Sequence, residues 1–150
     1  MDKETLMELR RLRLDAQYHN AKAAEYMARA TKGTSTRRAT NMSGTGDCPV
    51  SSYAVAYGSE HAAAVVSANA ANAIWEKVCL DGLGLDESLI IERYYNQAMD
   101  WADIARSIKR NIDACYRMHR DAVIVVTNGK PRQARNIAYG KSPAYGKTLF

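Results

Sequence analysis

Between Trp101 and Ala122 the chain reads WADIARSIKRNIDACYRMHRDA, and its apolar residues fall into two short helical stripes separated by a tight turn. Ile104, Ala105 and Ile108 give the first stretch one buried stripe, and Cys115, Met118 and Ala122 give the second its own at helical spacing. A small residue such as Ala105 suits a close crossing of the two helices. Neither stripe alternates as a half-buried strand would. This segment predicts a helix-turn-helix, and the opposite face of its second helix carries Asn111, Asp113, Ala114, Arg117 and Arg120 outward.

The rest of the chain is consistent with an all-α fold. Residues Asp2 to about Thr31 form one predicted helix, with Leu6, Leu9, Leu12, Ala16, Ala23, Met27 and Ala30 as its inward stripe and Gly33 as its stop. Residues 33–52 read as a polar linker containing Gly44, Gly46 and Pro49, with Arg37 and Arg38 in it. A second long helix is expected to begin between Tyr53 and Ser59 and to reach about Leu80, lined by Ala64, Ala71, Ile74 and Val78 with Val66 and Ala70 beside them. Such alanine-rich faces allow close approach, so the first two helices are expected to pair as an antiparallel hairpin over residues 1–82.

Gly82 and Gly84 break the chain before a three-helix module at 83–126. Its first helix is expected from Asp86 to about Asn96, burying Leu89, Ile90 and Tyr94, with Tyr95 beside them. Asp100 is the expected N-cap of the fourth helix and Asn111 that of the fifth. The fifth, at 112–126, should stop before Asn128-Gly129. Residues 127–150 read as a flexible basic tail with an Ala-Tyr-Gly-Lys sequence twice, at Ala138–Lys141 and Ala144–Lys147.

Charge adds a partner class. The net charge is +5, yet the first 126 residues hold 16 basic and 16 acidic side chains, because all five cations beyond residue 126 lack an acidic neighbour. Two basic zones flanking one exposed helix favour a polyanion, and double-stranded DNA fits a helix presented in this way. The plainer reading of the tail is a solvated segment that aids solubility.

Other classes find little support. His19, His61 and His119 lack metal-ligand spacing, there is no Cys-x-x-Cys, phosphate loop or nucleophile elbow, and neither an enzyme nor a cofactor is expected. Cys48, Cys79 and Cys115 are odd in number and widely spaced, as free thiols in a reducing cytoplasm would be. The charged start MDKETLMELRRLR is unlike a signal peptide, the sequon at Asn41 is expected to be idle, and no apolar run is long enough to span a membrane.

The stretch from Ile90 to Val126, most specifically residues 91–123, resembles the C-terminal half of ArpU-type phage transcriptional regulators, which in turn resemble the promoter-reading C-terminal domain of bacterial sigma factors. Glu92-Arg93-Tyr94, Trp101 with Ile104-Ala105, and Tyr116-Arg117-Met118-His119 carry the resemblance. It departs at the turn, where the family often carries Gly and this chain has Lys109-Arg110. The resemblance implies sequence-specific regulation of phage or prophage genes and contact with RNA polymerase.

On that basis Arg117 is the expected base reader, because a guanidinium pairs bidentately with guanine. Asp113 is expected to accept from cytosine or to orient Arg117. Lys109, Arg110, Asn111 and Arg120 are placed for phosphates, Tyr116 for a phosphate or for packing, and Ala114 on the same face. His119 is expected either in the family motif's role or as a packed histidine, and Trp101 as core. A homodimer through the hairpin, a small-terminase-like packaging adaptor, and a helical interaction protein that binds no DNA are the other expectations.

Overall fold

The computed structural model describes residues 1–35 and 49–128, so the linker cations Arg37 and Arg38, Cys48, the sequon and the basic tail from Gly129 lie outside the described residues. Among the described residues five helices follow in order: α1 (Lys3–Ser35), α2 (Pro49–Trp75), α3 (Leu85–Ile91), α4 (Trp101–Ile108) and α5 (Ile112–Asn128). A π-helical turn, Glu92–Asn96, prolongs α3. The described residues form no strand.

α1 starts with the Thr5 N–H donating to Asp2 Oδ1 at 2.8 Å, an N-cap that satisfies one of the free donors of the first turn. It runs past Gly33, which therefore does not stop it. A glycine inside a helix costs about 1 kcal/mol relative to alanine, too little to end a helix this long. α2 begins at Pro49, where the missing N–H costs nothing, and ends at Trp75 rather than near Leu80. Lys77 and Val78 donate to Ile74 and Trp75 at 3.0 and 2.9 Å, so the chain leaves the helix through tighter three-residue turns.

α1 and α2 pack antiparallel. Along their length Tyr26 stacks on Tyr53, His19 Nδ1 meets Glu60 Oε2 at 2.5 Å, Ser67 Oγ donates to Asp15 Oδ2 at 2.5 Å, and Arg13 Nη2 donates to Asn72 Oδ1 at 2.7 Å.

The inward stripe differs from expectation late in α1 and in the second half of α2. Met27 is 48% exposed and Tyr26 takes the inward place, because a straight helix drifts about 20° per seven residues and the face set by Leu6 and Leu9 has rotated by then. On α2, Val66 is 68% exposed and Ala70 is also outward, while Ser67 is buried. The hydroxyl of Ser67 can go inside because Asp15 accepts its proton.

The hairpin and the later helices share one core. Leu6 and Leu9 of α1, Ala71 of α2, Ile91 and Tyr95, and Ala122, Val123 and Val126 of α5 form a single buried cluster. A second cluster, Ile90, Ile104, Ala105 and Cys115, sits between α3, α4 and α5.

Three side chains of α1 also grip the segment between α3 and α4. Arg10 Nη1 donates to the carbonyls of Tyr94 and, at 3.2 Å, Met99, with its guanidinium 4.0 Å from the centre of the Tyr94 ring. Arg13 Nε donates to Asn96 Oδ1 at 3.1 Å and Gln17 Nε2 to the Gln97 carbonyl at 3.1 Å. The carbonyls freed by the π turn thus find donors on α1.

Candidate nucleic-acid interface

α4 opens at Asp100, whose extended backbone (φ −80°, ψ 154°) makes it the N-cap residue, as the sequence suggests. Its carbonyl, not its carboxylate, does the bonding, accepting from Asp103 and Ile104 at 3.1 and 3.0 Å. α4 closes at Lys109, which adopts the left-handed conformation (φ 56°, ψ 43°) and lets Arg110 N–H return to the Ala105 carbonyl at 3.0 Å. A lysine therefore occupies the backbone state that glycine enters without steric cost. Asn111 caps α5, its Oδ1 accepting the Ala114 N–H at 2.7 Å.

Burial at Cys115, Ala122 and Val123 fixes which way α5 faces. Burial pushes the Cys115 thiol pKa up, so the side chain stays a neutral apolar plug. Ile112, Asp113, Tyr116, Arg117 and Arg120 are exposed on the opposite side, and Ala114 is half-buried at the edge. The structure therefore brings Asn111, Asp113, Ala114, Arg117 and Arg120 to one face, with Lys109 exposed at its leading end.

The contacts differ among these residues. Arg117 Nε donates to the backbone carbonyl of Asp113 at 3.4 Å, so it is the carbonyl of that residue that steadies the guanidinium. Arg110 donates from Nε and Nη2 to Asp86 Oδ2 at 3.1 and 2.9 Å, which ties it back to the start of α3. Arg120 Nε stands 4.0 Å from Asp121, with its side chain 75% exposed.

Tyr116 packs its ring on Trp101, centroids 4.5 Å apart, while remaining half-exposed. Trp101 in turn stacks on Tyr94 at 4.4 Å and meets the His119 ring edge-on at 5.0 Å. It wedges between the π turn and α5, as a core residue. His119 lies inside the same cluster with Nε2 3.0 Å from the Tyr95 hydroxyl. Burial, with a smaller push from Lys3, lowers its pKa to about 4, and burial raises that of Tyr95 to about 12. Near pH 7 the pair is thus neutral, and His119 packs rather than projecting outward.

Between α5 and the start of α3 runs a groove of about 800 Å³, with Leu85 and Asp86 on one bank and Ala114, Arg117 and Met118 on the other. Leu85 is 77% exposed there. The sequence marks Asp86 only as the expected start of a helix and marks Leu85 not at all, since Asp86 reaches Arg110 across 24 residues and no local spacing announces that pair. Among the described residues no cluster of His, Cys, Asp and Glu could hold a metal ion, and no helix is long and apolar enough to cross a membrane. No protein-family model matches this chain, and no curated protein or solved structure matches it either.

Proposed function

We propose that this chain is a sequence-specific DNA-binding regulator of phage or prophage genes whose α5 enters the major groove. The observation that carries the reading is the two-sided character of α5. Cys115 and Ala122 anchor it, and Asp113, Tyr116, Arg117 and Arg120 are left on the outside of a helix whose start is fixed by the Lys109 turn and the Asn111 cap. The major groove is about 12 Å wide and admits a helix so presented.

Arg117 is the base reader in this proposal, since it is exposed and steadied by a long bond to a backbone carbonyl. Arg120 and Lys109 take phosphates at the groove edge. Arg110 can join them only by leaving Asp86, an exposed ion pair of the kind that holds by about 1 kcal/mol or less. The resemblance to ArpU-type and sigma-like domains adds RNA polymerase as the second partner.

Selection from a random duplex library tests this, with the protein alone and with host RNA polymerase, at near-physiological salt. An enriched motif that blurs at one base pair in Arg117→Ala, with about 1–3 kcal/mol lost on the wild-type site, supports the reading. Salt-sensitive bulk binding without enrichment in either arm overturns it.

A further inference from the structure

Charge is separated along this chain, and its acidic part borders the helix from which its basic part departs. Residues 76–92 carry five carboxylates, Glu76, Asp81, Asp86, Glu87 and Glu92, against one cation, Lys77. Residues 129–150 carry five cations, Lys130, Arg132, Arg135, Lys141 and Lys147, and no acid. Asp86 and Glu87 stand on one bank of the groove beside α5, and Asp121 adds a carboxylate from the other. The basic segment leaves from Asn128, the last residue of that same helix.

We propose that residues 129–150 fold back over this groove and cover Arg117. The contact would mask the base reader within the molecule, a consequence that rests on the DNA-reading proposal. Charge selects the occupant: a segment of five uncompensated cations is drawn to the stretch where the chain gathers five carboxylates.

Length permits it. Asp121 and Ala114 lie about 10 and 21 Å back along the helix from Asn128. A segment of 22 residues spans about 26 Å on root-mean-square average. The groove is therefore within its ordinary range, and tethering holds the local concentration near millimolar. A contact too weak to join two separate molecules is then occupied within one.

Residue type agrees. Ala114 and Met118 give the groove an apolar lining, and Leu85 stands 77% exposed on its bank. The segment brings Tyr139 and Tyr145, each followed two residues later by a lysine. The ring suits the apolar lining and the ammonium suits the carboxylates. A tyrosine ring in the groove also meets the face of the Arg117 guanidinium, a cation–π contact, while Arg110 is already drawn to Asp86. Either copy of the repeat can serve, so no single register is required.

Methyl NMR of the full chain, without DNA, tests the contact separately from DNA reading. A nitroxide is placed on Ser142→Cys, between the two repeats, in a Cys48→Ser/Cys79→Ser background. It should broaden the Met118 methyl and leave that of Met27, far along α1, sharp. In a companion chain with all five tail cations replaced by glutamine, the Met118 broadening should fall about threefold or more. Salt of about 0.5 M should act in the same direction.

Masking is read by phenylglyoxal, mapped on singly modified chains. Arg117 should react about threefold more slowly in the wild type than in the glutamine variant. Arg11, whose side chain is 81% exposed on α1, should react alike in both. The proposal requires both differences, and the absence of either overturns it. If both hold while duplex selection yields no motif, the contact stands and the DNA reading falls.

Discussion

His119 Nε2 stands 3.0 Å from the hydroxyl of Tyr95, turned away from the exposed face on which its neighbours Arg117 and Arg120 lie. The imidazole is closed in by Tyr94, Tyr95 and Trp101, and Lys3 is the charge that acts on it. Its protonation is therefore coupled to folding.

The folded-state pKa of about 4 lies below the ordinary 6.5, so the unfolded chain binds this proton more readily. The stability held by the neutral ring is complete above pH 6.5 and drains away as pH falls toward 4. Urea midpoints should drop across that window in the wild type, beyond the drop that carboxylates cause. His119→Gln should lower the midpoint at pH 7 and flatten the pH dependence between 4 and 6.5. An unchanged slope in the variant would place the titration elsewhere.

Arg10 should be among the most costly polar residues to remove. It serves two carbonyls and one ring face at once, and hydrogen bonds from a charged donor contribute about 1.5–3 kcal/mol. Arg10→Ala is expected to lose about 2–3 kcal/mol in denaturant unfolding at constant m. Arg10→Lys should recover only part, because an ammonium cannot bridge both carbonyls in the planar fork of a guanidinium.

Lys109 and Ala98 hold positive φ, 56° and 53°. The left-handed state costs an L-residue about 1 kcal/mol that glycine does not incur. Lys109→Gly should therefore raise stability by up to about 1 kcal/mol, less the entropy glycine gains in the unfolded chain. The thermal midpoint checks it, and a drop would mean that the lysine side chain stabilises the turn by more than the strain costs.

Asp86→Asn should leave stability within about 1 kcal/mol, since the Arg110 pair is exposed. It should also release Arg110. In the DNA-reading proposal the variant then binds duplex more tightly at low salt, with a salt slope steeper by about 0.9 for one added phosphate contact. An identical slope would show that Arg110 stays off the backbone.

Much of this architecture was legible because it rests on local rules. The stripe of Cys115 and Ala122, the Asn111 cap and the antiparallel pairing of two alanine-rich helices follow from spacing and residue type. The phase of α1 beyond Ala23 was not legible, because a drift of about 20° per seven residues decides between Tyr26 and Met27 and no single turn records it. Ser67 resisted for another reason: its burial depends on Asp15, 52 residues earlier. The ties of Arg110 to Asp86 and of Arg10 to the π turn likewise span 24 and more than 80 residues.

The cluster that unites Leu6 and Leu9 with Ala122, Val123 and Val126 also sets a timetable. During synthesis at about 5–20 residues per second, Leu6 and Leu9 wait on the order of ten seconds before the last part of their core exists. Until then the amino-terminal end of α1 offers its leucines to whatever else is near. Closure of the fold is thus gated by the emergence of α5, and a ribosome stalled before that helix would hold a chain whose two halves of one core have not yet met.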